Sequence, residues 1–192
     1  MKIVKYPHPA LRCQARPLTV IDKKIRLQAG EMLDLMYEAK GLGLASTQVA
    51  LPFQLLIMNP AADPQQREFE RVLINPVILD KRGSVEGEEG CLSFPGLYAK
   101  VRRSRTVKVQ AYNIKGELVE LSVSDLPARA MQHEIDHLHG ALFIDKMGMF
   151  AKRASRQALA DLERDFRRAQ ERGEIEPDAE LEKQLTALEA AV

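Results

Sequence analysis

The sequence is short of several things, and each shortage removes a class of function. No stretch approaches the roughly 18 consecutive apolar residues that a membrane helix needs, and the opening Met1-Lys2-Ile3-Val4-Lys5-Tyr6-Pro7 lacks the apolar run of a signal peptide. The chain is therefore expected in the cytoplasm, with no membrane partner. Charge of one sign is missing too. Lys and Arg number 28 against 27 Asp and Glu, a formal net charge of +1, which gives no general attraction to nucleic acid or anionic lipid. No sequence-specific nucleic-acid partner is expected. Cysteine occurs only at 13 and 91, too seldom for a disulfide scaffold. Cys13 is read as a small buried or half-buried residue, while Cys91 is a free thiol that needs explaining. Internal repeats and low-complexity tracts are absent. With 192 residues, 45% of them hydrophobic, the chain supports one core of ordinary size. It divides into a principal domain at 1–150 and an appendage at 151–192.

Hydrophobic spacing sets out the elements. Ile25, Met32, Leu35, Met36 and Ala39 share one helical face after Asp22, and Gly41 supplies a helix stop, which predicts a helix over 23–40. Residues 53–58, 72–79, 106–112 and 118–123 are short, β-branched and partly alternating, and read as strands. Asn113-Ile114-Lys115-Gly116 forms a hairpin turn, and 61–66 a polar loop. A second helix is expected from Asp125, as cap, to His139, with Ala128, Met131, Ile135 and Leu138 facing the core and Gly140 ending it. A third, over 150–172, carries a stripe of Phe150, Ala154, Ala158, Leu162, Phe166 and Ala169. Pro177 separates it from a last short amphipathic piece. Helix, antiparallel strands, then helix is the order of an α+β fold.

The chemistry gathers in Gln132-His133-Glu134-Ile135-Asp136-His137. Histidines four apart on a helix point the same way, one turn apart, and can bind one ion, leaving Glu134 to move the proton of a water. Chance gives such a pattern in a chain this size roughly one time in a hundred. Asp136 and His139 are read as an exposed helix residue and a neighbour of the closing glycine, with Asp136 alternatively a partner behind a ligand. A catalytic ion wants three protein ligands and an open position. Leu138-His139-Gly140-Ala141-Leu142-Phe143-Ile144 lacks the downstream histidine that metzincin-type metalloproteases place in His-x-x-Gly-x-x-His, so the remaining candidate is Cys91 in Glu89-Gly90-Cys91-Leu92-Ser93. A third segment, Gly41-Leu42-Gly43-Leu44-Ala45-Ser46-Thr47-Gln48, has glycines that leave room for a substrate backbone and an amide able to donate to an oxyanion. By itself it reads more simply as a helix cap followed by a turn.

In this order, the three segments resemble the three motifs of peptide deformylases, Gly-x-Gly-x-Ala-Ala-x-Gln, Glu-Gly-Cys-Leu-Ser and Gln-His-Glu-x-Asp-His-Leu-x-Gly. The resemblance spans about 1 to 150 and departs once, with Ser46 in place of an alanine. It implies an α+β fold of antiparallel sheets packed around a central metal-binding helix, with an N-terminal helix and a C-terminal helical extension. By the same resemblance Cys91, His133 and His137 are metal ligands, ferrous iron is the native ion with zinc or nickel able to replace it, and Glu134 is the general base and acid. Gln48 and the Leu92 N–H become oxyanion donors, and Gly43 a residue that pairs with the substrate main chain. Leu42, Leu126, Ala130 and the aliphatic part of Arg129 line the methionine pocket. The implied reaction is hydrolysis of the formyl group from N-formylmethionyl nascent peptides, releasing formate. Some members carry an arginine seven residues after the cysteine, where this chain has Tyr98.

The first part of the tail is locally basic, with Lys152, Arg153, Arg156, Arg164, Arg167, Arg168 and Arg172. Two readings stand: a solvated helix face, or transient docking on the ribosome. Rival functions are a His-Glu-x-x-His metalloprotease and a non-catalytic ribosome-associated metal module. Cys91 argues against the first, Glu134 and Gln48 against the second.

Overall fold

The computed structural model describes residues 1–61 and 63–190; position 62 of the expected polar loop and the last two residues of the tail lie outside that range. Helix α1 is Lys23–Glu38. The Asp22 carboxylate accepts the Ile25 N–H at 2.8 Å, and Ile25, Ala29, Met32 and Met36 are buried, so the predicted face is the face that packs. Seven strands follow: β1 Gly43–Ala45, β2 Leu55–Met58, β3 Arg71–Arg82, β4 Val85–Cys91, β5 Phe94–Arg103, β6 Thr106–Tyr112 and β7 Leu118–Ser124. Helices α2 Asp125–Leu138, α3 Met149–Glu171 and α4 Asp178–Glu189 complete the chain. Five strands form one antiparallel sheet in the order β1-β2-β3-β6-β7, and β4 and β5 form a separate hairpin. The α+β architecture matches the sequence reading, with α2 packed against the large sheet and tied to the hairpin.

Four local expectations are corrected. Strand β1, only three residues long, lies inside the glycine-rich segment Gly41–Gln48, where the sequence offers a helix cap and turn and no strand. The hairpin β4–β5 was not anticipated, because Val85–Cys91 holds two glycines and three glutamates and β5 holds Pro95 and Gly96, all poor strand formers. Asp125 is the first residue of α2 rather than its cap, with φ 57; the Ser124 backbone occupies the cap position. On α3, Phe150 is 87% exposed and Ala154 also faces solvent. Met147 docks on Val101 through a backbone bridge, and the buried side of the helix is Ala151, Ser155, Ala158, Leu159, Leu162 and Phe166.

The tail is continuous with the core. Leu185 of α4 is buried among Val4, Leu11, Phe94 and Phe143, with Ala158, Leu159 and Leu162 of α3 packed against the same cluster. Polar contacts follow the same seam: the Tyr6 hydroxyl donates to Glu163 at 2.8 Å, and Glu189 takes both Arg16 at 3.2 Å and the half-buried Cys13 thiol at 3.3 Å. No helix among the described residues is long and apolar enough to cross a membrane. Truncating a side chain at this seam opens a cavity between tail and body. Leu185→Ala is expected to lower the unfolding free energy by about 2–5 kcal/mol, read from urea denaturation; a loss within error would mean that α4 does not share the core.

Candidate active site

His133 and His137 project from one side of α2, their ring centroids 4.9 Å apart. Cys91, the last residue of β4, comes to meet them. One donor atom from each of the three lies within 4.8 Å of the others, and the Cys91 sulfur is 3.3 Å from His137 Nε2. A thiol and two imidazoles gathered this closely, at the mouth of a cleft, fit a divalent ion of borderline softness. Burial lowers His137 well below the usual histidine range, which keeps the ring neutral and able to donate a lone pair. Burial pulls His133 the same way, but the thiol and the Glu89 carboxylate outweigh it and carry His133 well above that range.

Glu89 explains how the two pieces of the site are held together. It is 5% exposed and lies two residues before Cys91. Its carboxylate takes Arg103 at 2.8 and 2.9 Å, Arg129 at 2.7 Å and His133 Nδ1 at 3.2 Å. Burial alone would raise its pKa; the hydrogen bonds from His133 and Arg103 hold it down, to about 2. An ionised carboxylate only accepts, so His133 Nδ1 carries the hydrogen and Nε2 is left for the thiol side. Arg103 also reaches Asp136 on α2, which in turn takes Lys146 at 3.3 Å. The expected exposed position of Asp136 is thus corrected: its side chain is 20% accessible and braces the hairpin.

Glu134 stands beside the donors with Oε2 buried and, among the described residues, without a partner, and burial pushes its pKa up to about 7. Its close neighbour is Gly43: a Cβ there would lie 2.8 Å from Glu134 Cγ and 3.0 Å from Oε1. The glycine of β1 is what lets the carboxylate sit against the backbone. Gln48 is 1% exposed; its Oε1 accepts the Ala45 N–H at 2.8 Å, and its Nε2 faces Cys91 Sγ at 3.4 Å and Ser93 Oγ at 3.3 Å. The Ser46 hydroxyl donates to the Phe53 carbonyl, so the serine is accommodated without an unpaired polar group. A cleft of about 700 Å³ opens onto these groups, lined among others by Leu42, Gly43, Gln48, Leu92, Leu126, Arg129, Ala130 and Glu134. All the predicted pocket residues share it. Arg129 presents its stem only, since its guanidinium is turned away onto Glu89 and the carbonyls of Val85, Gly87 and Val101.

Residues 1–153 match the family model for polypeptide deformylase. The chain belongs to that family. Similar deformylases include one from Rhodopirellula baltica, 38% identical over 190 residues, covering 99% of this chain and 94% of the relative. A chloroplastic peptide deformylase 1B of rice is 43% identical over 168 residues, 86% of this chain and 62% of the relative. Among solved structures, Arabidopsis thaliana peptide deformylase 1B in complex with an inhibitor superposes with a TM-score of 0.85 at 41% identity, covering 91% of this chain and 95% of that one. Plasmodium falciparum peptide deformylase gives 0.83 at 39%, covering 86% and 97%. As a deformylase the chain is a metallo-hydrolase that removes the N-formyl group from nascent polypeptides. The Cys-His-His group agrees with the metal cofactor the family implies.

Sequence reasoning quoted Glu89 within its motif but gave it no task, and missed Arg103 altogether. The available signal was the alternation Leu97, Ala99, Val101, Arg103 along β5, whose fourth member is as buried as the others. An arginine on the inner side of a strand requires a buried acid. Replacing the Glu89 charge while keeping its shape should free the His133 ring. Glu89→Gln is expected to weaken metal binding about 10- to 100-fold in competition with a chelator; unchanged affinity would reduce Glu89 to a packing role.

Proposed function

We propose that Cys91, His133 and His137 hold one divalent ion and that Glu134 moves the protons of deformylation. The observation that carries this reading is the convergence of a thiol at the end of β4 with two imidazoles of α2, within 4.8 Å. A thiolate with two imidazoles suits ferrous iron, the ion assigned here, and would also accept Zn2+ or Ni2+ in purified protein. When bound, the ion supplies Lewis acidity, making a water acidic near neutral pH and polarising a carbonyl oxygen.

The chain's own groups do the rest. Glu134 Oε2 takes the proton of the water that attacks the formyl carbon and delivers it to the nitrogen as the C–N bond breaks, so formate and a free amine leave. A carboxyl poised at about 7 exchanges that proton in either direction near neutrality. Gln48 Nε2 and the Leu92 N–H steady the oxygen of the tetrahedral carbon. Gly43 pairs with the substrate main chain at the edge of the cleft, and Leu42, Leu126, Ala130 and the stem of Arg129 surround the methionine side chain. In this reading residues 1–150 are the catalytic domain, 151–192 a helical extension, and the enzyme works in the cytoplasm where formylated chains are made.

The ribosome is the second partner we assign. Arg164, Arg167 and Arg172 are paired with Asp161, Asp178 and Glu174, whereas Lys152, Arg153 and Arg156 have no ion pair among the described residues and lie together on the exposed start of α3. Reversing those three charges is expected to lower ribosome co-sedimentation while leaving formate release from a free peptide intact; unchanged co-sedimentation would remove the ribosome from this account.

The reaction is tested with formyl-Met-Ala under anaerobic conditions, following formate and new amine. Cys91→Ala is expected to lose the metal. Glu134→Gln should retain metal while kcat falls about 10²- to 10⁴-fold. Cleavage of an unformylated peptide without formate would instead favour the metalloprotease.

A further inference from the structure

A second pocket, lined in part by Gln132 and Asp136 of α2, shares no lining residue with the catalytic cleft. Its volume is about 250 Å³ and its walls are mainly polar, so it is smaller than the roughly 300–1,000 Å³ of a drug-sized ligand site. Lys81 near the end of β3, Arg102 and Arg103 at the end of β5 and Lys146 beyond α2 line it against one carboxylate, that of Asp136. That carboxylate is already neutralised, with one oxygen on Arg103 and the other 3.3 Å from Lys146. Arg103 is committed as well, to Glu89 and Asp136. Lys81 and Arg102, by contrast, are exposed and have no ion pair among the described residues. The nearby acids do not answer them: Asp80 is turned onto Arg82 at 2.7 Å, and Glu86, opposite Arg102 across the hairpin, makes no ion pair with it. Ser84 and Ser104 add hydroxyls to the same wall.

From this placement we infer that the pocket binds a phosphate group, carried by a small molecule or as the free ion. Four cationic side chains around one neutralised acid concentrate positive potential in a small concave space. A guanidinium matches two phosphate oxygens at once, an ammonium adds a point charge, and serine hydroxyls can donate to the oxygens that remain. The volume admits a phosphate with a short organic group and excludes a folded partner. Neither the three metal-site donors nor Glu134 takes part.

The test is isothermal titration of the zinc-loaded full chain, at fixed ionic strength, with inorganic phosphate, glycerol 3-phosphate, acetate and a single-stranded RNA oligonucleotide. At least one of the two phosphates is expected to bind with a Kd of about 0.1–1 mM, and acetate at least about tenfold more weakly. The tighter of the two phosphates names the source, free ion or phosphorylated small molecule. Lys81→Gln and Arg102→Gln should each weaken that binding about tenfold and leave formate release from formyl-Met-Ala unchanged, since neither side chain lines the cleft. An affinity that survives both substitutions places the anion elsewhere and overturns the inference. So do acetate binding as tightly as phosphate, RNA binding more tightly than either phosphate, or no binding of either phosphate at about 10 mM.

Discussion

A single buried carboxylate holds the active site in register. The hairpin that delivers Cys91 is not hydrogen-bonded into the large sheet, so no β-ladder fixes the thiol relative to the histidines of α2. Glu89 does. Its oxygens join Arg103 of the hairpin to Arg129 and His133 of the helix, and Arg103 continues to Asp136 one turn further along α2. Removing one member of such a buried network leaves an uncompensated charge and costs about 3–5 kcal/mol. The hairpin therefore cannot slide along the helix cheaply, and Cys91, two residues beyond Glu89, inherits that precision.

The same network separates the site's two acids. Glu89 and Glu134 are equally buried, at 5% exposure, yet they shift in opposite directions. Glu89 has two guanidiniums and an imidazole within hydrogen-bonding distance and is held down to about 2; Glu134 has an orphaned oxygen and desolvation, and rises to about 7. Burial pushes both upward, so the partners decide the direction in which each ends. One carboxylate is thereby a permanent anion that orients a ring, and the other is free to exchange a proton. Gly43 completes the arrangement, because only a residue without Cβ lets Glu134 lie against β1.

The reactive groups were legible in the sequence because their signal is local. Two histidines at helical spacing, a glutamate beside them and a cysteine between glycine and leucine need no tertiary information to be found, and α1, α2 and the β6–β7 hairpin announced themselves through periodicity. What was missed depends on partners distant in sequence. Glu89 and Arg103 look like ordinary surface charges until β4 and β5 are paired, and β4 itself is spelled with glycine and glutamate, residues that form a strand here only because β5 and the Arg129 guanidinium supply their partners. Asp136 was read as solvent-facing for the same reason. On α3 the expected stripe holds at Ala158, Leu162 and Phe166 and fails only in the first turns, where Phe150 and Ala154 face solvent while Ala151 and Ser155 turn inward.

The packing of α3 and α4 bears on what the tail is for. Helices α3 and α4 cover the opening strap of the chain, through Tyr6 with Glu163, His8 edge-on to Phe166, and Cys13 and Arg16 with Glu189. The strap in turn pairs with the end of the metal-binding helix: Gln14 bridges to His139, and the Ala15 N–H donates to the Leu138 carbonyl at 2.9 Å. Carbonyls in the last turn of a helix have no partner within it, and here the strap supplies one immediately beyond His137. The tail thus acts on the site at one remove, by holding down the segment that caps the helix carrying both imidazoles. A segment outside any catalytic motif is consequently part of what supports the end of the helix that carries His137.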